Sequence, residues 1–471
     1  MTVVSAIKKC ALICVLVLCG CETLQLHKTS VREDEGTVFL YLQPFSREAE
    51  RLQFSLSALA AVKDDGTQIP LPLSLNEFNS KDMTRQRMIA TAQLPEGRYS
   101  GFLVSVKSAA LLSTEGTTAA LAVPETPQKT VFPFSVEKRT SFLISMTLNY
   151  AQSLQGGANF NPAFVVAIPG RPLVDVTGYA SNTDLNAITV FDKIHLQATN
   201  AIATGSEPWG IALDPRLRRA YVALTGDDAV EEYDLNSQYL LAKTMLMRGD
   251  EPHELALTPD GLLLLVVNSH SDTVSIVDTG IMAEVNRIPV GRNPRSLVID
   301  KTGTKAFVFN SMSDNISVIN IPYRQVMATI TTGPEPLRGQ FNRAGDKLYV
   351  IHASYPYLFV IDSSSFSVVQ RQFVGMGMVS LKIDTRTDQI YIGKRNDNVV
   401  TVWDPLTFVP VGVIPTGGTV TYMTIDGETS FLYLLIPDRK VMLVVNLASK
   451  RPVSEIDVSE SPVWMTMMGE R

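Results

Sequence analysis

Beyond residue 21 the chain has no cysteine: Cys10, Cys14, Cys19 and Cys21 are all it carries. A disulfide framework is therefore excluded as the basis of its fold. No CxxCH occurs among the 471 residues, which excludes covalent c-type haem. Patterns of the GxSxG, HExxH, phosphate-loop and EF-hand types are missing too, and no cofactor is expected. Charge is sparse, at 19% of residues with a formal net charge of −6, and no cluster of Lys and Arg stands out. Nucleic acid is thereby set aside as a partner. What the chain does have is 45% hydrophobic residues, enough for sizeable cores, in a length that predicts two or three domains.

The first 21 residues read as an address. Lys8 and Lys9 precede the unbroken apolar run Ala11 to Leu18, too short to span a membrane but suited to a signal peptide. The run ends in Leu18-Cys19-Gly20-Cys21, which resembles the bacterial lipobox, with Leu three before the modified Cys and a small residue just before it. Cys19 is a less usual choice at the second position. The resemblance implies a signal peptide over 1–20, cleavage before Cys21, and lipidation of Cys21, which then attaches the chain to a membrane. Glu22, in place of an aspartate, points to outer-membrane delivery. Loss of Lys8 and Lys9 takes the formal charge from −6 to −8. Residues 21–36 form a short polar tether.

From residue 174 onward the sequence repeats. The acid or amide closing each β-branched run falls at Asp192, Asp234, Asp278, Asn320, Asp362, Asp404 and Asn446, at intervals of 42 with a single 44. The turn column Gly205, Gly249, Gly291, Gly333, Gly375, Gly417 and Ser459 keeps the same register. Each copy holds four short runs of alternating apolar residues, here called strands A to D. Four-stranded repeats of about 40–45 residues predict a β-propeller. The first copy lacks strand A, and Pro462 to Met468 supplies one at the other end, so a closed ring of seven blades is expected over 174–471.

The segments Asn268-Ser-His-Ser-Asp272-Thr-Val-Ser-Ile-Val-Asp278 and Phe307-Val-Phe-Asn310 resemble the YVTN family of β-propeller repeats. The pattern departs from that family where Leu224, His352, Lys394 and Ile436 replace its Asn, and where Met378 and Val420 replace its turn Pro. The resemblance implies a scaffold whose relatives include haem, quinone and lactone proteins. Residues 37–168 show no copy of the repeat. Their strand-like runs, with a hairpin signal at Asp64-Asp65-Gly66, predict a β-sandwich. Leu94-Pro-Glu-Gly97-Arg-Tyr-Ser and Pro133-Phe-Ser-Val resemble an uncharacterised transthyretin-like domain of bacterial lipoproteins. The expected class is all-β: a sandwich, then a seven-bladed propeller, joined by the stiff linker Ile168 to Leu173.

Candidate site residues come from the places where the repeat varies. The second position after the turn Pro reads Gly210, Glu254, Ser296, Arg338, Ser380, Tyr422 and Trp464; the first reads Trp209, His253, Arg295, Leu337, Val379, Thr421 and Val463. Both columns lie near the channel mouth on the face of the D–A and B–C loops, which also receives His270, His352 and Arg395. Trp209, His253, His270, Arg295, Arg338, His352, Arg395 and Tyr422 are the candidate residues for an unknown protein or small molecule. His253, His270 and His352 are read as solvated loop residues, not as a metal or haem ligand set. The strand B column Tyr179, Tyr221, Leu265, Phe307, Tyr349, Tyr391 and Tyr433 is read as core. Glu232, alone among aliphatics, is expected to pair with Arg218 or Arg219.

These residues support a lipid-anchored binding scaffold of the bacterial envelope with no catalytic role, its sandwich near the membrane and its propeller projecting. The alternative is a periplasmic propeller enzyme or cofactor carrier, of the quinoprotein-like or non-covalent haem type. Cys21→Ser is expected to abolish lipid labelling and move the protein from the membrane to the soluble fraction. A mutant that stays membrane-bound with its leader cleaved as before contradicts the lipobox reading.

Overall fold

The computed structural model describes residues 34–113 and 117–471; the expected signal peptide, Cys21 and most of the expected tether lie outside the described residues. Alternating apolar residues put two sheets face to face in the first half. One is a four-stranded sheet in the order Phe164–Ala167, Ser141–Leu148, Glu35–Leu42, Arg87–Pro95, with the two middle strands parallel. The other centres on Leu52–Lys63 paired with Gly97–Leu112. Leu40, Phe54, Phe102 and Ile144 lie among the buried residues between them. The Asp64-Asp65-Gly66 turn forms, with Gly66 at φ 87°, and the Tyr99 hydroxyl donates to the Pro95 carbonyl at 2.8 Å. This is the expected sandwich.

Seven four-stranded antiparallel sheets follow. Blade one takes strands B to D from Thr177–Asn182, Ala187–Asp192 and Gln197–Ala203, and its strand A from Pro462–Met467 at the other end of the chain. The register runs from Gly178 opposite Met467 to Asn182 opposite Pro462. The ring is closed as the repeat predicts. Around it the strand B aromatic column is buried, Tyr221 and Tyr433 completely. Glu232 pairs with Arg219, whereas Arg218 reaches Asn236 and Asp175.

The sequence alone assigns no role to Gly469, Glu470 and Arg471, but they are structural. Gly427 N–H donates to the Gly469 carbonyl at 2.8 Å, and Arg471 N–H donates to Ile425 at 3.0 Å. Glu470 receives Lys382 (3.2 Å) and Thr466 (2.9 Å). Beside them Lys193, from blade one, pairs with Asp426 of blade seven at 3.0 Å and donates to the Met468 carbonyl at 2.6 Å, with both charged side chains fully buried.

The sandwich docks on the seam between blades one and seven. Phe39, Tyr41, Met88 and Leu143 pack against Ala187, Ala198 and Ala201 of blade one. Asp457, closing strand D of blade seven (Arg451–Asp457), accepts from Arg87 Nε at 3.0 Å and Met88 N–H at 2.9 Å, and pairs with Arg85. Gln86 exchanges two hydrogen bonds with the backbone of Ala198, at 3.0 and 2.9 Å, in the manner of a strand partner.

The Asn column explains His352. Asn182, Asn268 and Asn310 each donate to a hydroxyl seven residues on, at Thr189, Ser275 and Ser317. In blade five the pair becomes His352 with Phe359, their rings 4.6 Å apart, and His352 Nδ1 lies 3.2 Å from the Tyr357 carbonyl. His352 is therefore fully buried at the end of its strand, not a solvated loop residue. Its alternation places it inward, where blades one, three and four carry Asn182, Asn268 and Asn310. Burial lowers its pKa to about 4. A depressed imidazole keeps its full contribution above the unfolded value near 6.5 and loses it as pH falls towards 4, by up to about 3 kcal/mol. His352→Asn does not titrate. We expect it to cost about 1–2 kcal/mol at pH 7.5 for the lost volume and to gain steadily on the wild type towards pH 4 in urea unfolding; a constant difference across that range contradicts the assignment.

Candidate functional site

Each strand A enters from a turn that fixes where its first side chains go. At the B–C turns, Asn186, Asp228, Asp272 and Asp314 adopt left-handed backbone. Their side-chain oxygens accept the backbone N–H of Glu207, Glu251, Asn293 and Glu335, the residues before the turn prolines, at 2.7–3.1 Å. The strand then bulges between the turn residue and its pairing with strand B, at Pro208, Pro252, Pro294, Pro336 and Met378. A bulge re-aims side chains out of simple alternation. Here it presents the first and second residues after the turn near the channel.

The second column fills the channel by size. Around the ring it reads small, large, small, large, small, large, large: Gly210, Glu254, Ser296, Arg338, Ser380, Tyr422, Trp464. Gly210 is required by close approach, since a Cβ there would stand 2.9 Å from the His253 carbonyl and 3.1 Å from Glu254 Cα. Ser296 and Ser380 spend their hydroxyls on the carbonyls of Leu337 and Val420 in the next blade, at 3.0 and 2.6 Å. Seven positions cannot alternate without a fault. It falls at blades seven and one, where the Tyr422 and Trp464 rings meet at 4.2 Å.

Arg338 covers that fault. Its guanidinium lies 4.9 Å from both ring centres, and Nη2 donates to Glu254 Oε2 at 3.1 Å. Glu254 is buried, and desolvation lifts its pKa to about 7, against the lowering effect of Arg338. Burial also raises the Tyr422 phenol well above its ordinary value, helped by Glu470. One residue nearer the mouth, Trp209 stacks on His253 with ring centres 3.9 Å apart. Burial, then Arg295 and Arg338, push the His253 pKa down to about 3, and its Nδ1 is enclosed without a hydrogen-bond partner. His253 is thus half-buried beneath Trp209 and is not a solvated loop residue.

The structure brings together Trp209, His253, Arg338 and Tyr422, with exposed Arg295 at the rim. It leaves His270 and Arg395 exposed on the B–C turns of blades three and six, and removes His352 to the interior of blade five. Glu254 and Trp464 belong to the cluster although neither stood among the candidates. Their signal was the variable column itself, which joins residues 84 positions apart in Glu254 and Arg338. Among the described residues no group of three or more His, Cys, Asp or Glu side chains could hold a metal ion.

A family of YNCE-like beta-propellers matches residues 252–402, from blade three to blade six. No curated protein matches the chain. Among solved structures, a functionally unknown protein from Desulfotomaculum acetoxidans is 12% identical, covering 62% of this chain and 98% of its own, with a TM-score of 0.56. A putative 6-phosphogluconolactonase from Bacteroides uniformis is 15% identical, covering 62% and 99%, with a TM-score of 0.54. Kuenenia stuttgartiensis hydrazine synthase is 19% identical, covering 54% and 87%, with a TM-score of 0.50. At these identities the likeness is one of fold. The chain is a β-propeller protein.

Arg338→Met strips Glu254 of its counter-charge. At pH 8 the expected loss is about 3 kcal/mol, and it shrinks near pH 5.5, where Glu254 can hold a proton. Adding Glu254→Gln should recover most of the loss at pH 8. Strictly additive losses in a double-mutant cycle by urea unfolding contradict the coupling.

Proposed function

We propose that this propeller is a non-catalytic binding scaffold of the bacterial envelope, anchored to a membrane through lipid on Cys21, and that it recognises its partner on the face of the channel mouth. The observation that carries the reading is the Trp209, His253, Arg295 and Arg338 group, which combines a braced aromatic face with cations on strands of a closed ring. Rigid presentation lowers the ordering cost of binding, and Trp and Arg dominate recognition energies. Several polar groups of the column are already held in place. Arg338 is held by Glu254 and two rings, and the two serines of the column by the next blade. The sandwich, fixed by Asp457 and Gln86, gives the tether a stiff attachment to the ring.

One observation favours the alternative of a propeller enzyme or cofactor carrier: Glu254, buried in the channel, changes charge near neutrality. A cofactor band in the absorption spectrum of the native protein would support that alternative. The scaffold reading predicts where contact occurs in cells. A photo-crosslinking amino acid at Arg295 or Arg395 is expected to give adducts, whereas the same group at Ser363 or Ser364, on the opposite face, is not. Adducts from the serine positions alone contradict the assignment of the face.

A further inference from the structure

We infer that the channel mouth binds a small carboxylate carried on a flat apolar body, with Arg338 receiving the carboxylate and Trp209 the flat face. This rests on the reading of the mouth as the recognition surface and names the chemistry it takes.

A guanidinium has five N–H donors, and interior donors are normally satisfied. Arg338 spends donors on Glu254 Oε2 and on the Tyr422 hydroxyl, fewer than the five it carries. Its plane is backed by Tyr422 and Trp464, while the side chain retains 18% exposure. The donors left over form an edge that a carboxylate can fill with two parallel bonds. Nothing needs to be built for the cation: its ring stacking and its bond to Glu254 already hold it in place. Trp209 is half-buried and braced by His253, which itself feels the Arg338 charge, so it offers a fixed flat surface in the same neighbourhood. Arg295 stands exposed at the rim, its backbone bonded to His253, and its guanidinium adds attraction for an anion. Both Arg295 and Arg338 lie close enough to His253 to depress its basicity, which places the three within one electrostatic neighbourhood.

Glu254 is the built-in competitor. The groups facing it are Arg338 from blade five, Tyr422 from blade seven, and neighbouring His253, with Arg295 at the rim and Glu470 beyond Tyr422. While Glu254 is protonated, the Arg338 charge is free for a ligand anion. Once it ionises, above about pH 7, it holds Arg338 and repels the ligand. Binding should therefore weaken as pH rises through neutrality and should draw a proton onto Glu254.

The test uses the full chain with benzoate as probe and benzamide as its neutral counterpart, followed by tryptophan fluorescence, since Trp209 and Trp464 are two of the three tryptophans, and by calorimetry. Benzoate should saturate, and benzamide should bind about tenfold or more weakly. Arg338→Gln should weaken benzoate about tenfold, and exposed Arg295→Ala about threefold without disturbing the fold; Ser364→Ala should change nothing. Benzoate affinity should fall about tenfold between pH 6.5 and 8.5, and Glu254→Gln should flatten that profile. No saturation by about 10 mM, equal binding of benzamide, unchanged benzoate binding in both arginine variants, or a flat wild-type pH profile overturns the inference. If crosslinks from Arg295 and Arg395 still form in that case, the mouth remains the recognition face and only the carboxylate site falls.

Discussion

Everything on this molecule hangs on one strand pairing: Pro462–Met467 against Thr177–Asn182. Without it blade one would lack its innermost strand, and the ring would open two sheet edges to solvent or to other chains. With it the seven sheets form a closed circle, and each strand A has a neighbour on both sides. The pairing joins residues nearly 290 positions apart, so its loop must close before any of its hydrogen bonds can form.

The rest of the structure reinforces that seam. Lys193 and Asp426 bridge blades one and seven inside the protein, with the Met468 carbonyl as a third partner. A fully buried ion pair is a weak source of net stability, but removing one member is costly, so this pair penalises any arrangement in which the two blades are apart. From outside, the sandwich spans the same junction, gripping Ala198 of blade one and Asp457 of blade seven. The seam is also where the channel packing has its fault, and Trp464 comes from the closing strand itself. Closing the ring and assembling the Arg338 cluster are therefore one event.

Much of the fold could be read in the sequence because each blade repeats the same local problem. Turn residues, alternating strands and the aromatic column recur every 42 residues or so, and seven copies fix the register that one could not. The missing first strand A and the surplus last one made closure legible. What could not be read depends on distances around the ring. Glu254, Arg338, Tyr422 and Trp464 share a column, yet only the channel radius decides that they touch. His352 looked like a loop histidine because its neighbours in sequence are loop residues; the exchange of an Asn–Ser pair for His–Phe across strands B and C shows why it is interior. The docking of the sandwich was invisible for a related reason. Arg85, Gln86 and Arg87 carry no periodic signal, and their partners lie over a hundred or several hundred residues away.

The closing strand is as firmly built into the ring as any other. Amide hydrogen exchange followed by mass spectrometry measures this directly. Peptides covering Pro462–Met467 should exchange as slowly as the strand B peptide Lys305–Asn310 of blade four, and open with it in denaturant as part of one cooperative unit. Rapid exchange of Pro462–Met467 under conditions that leave Lys305–Asn310 protected would contradict it.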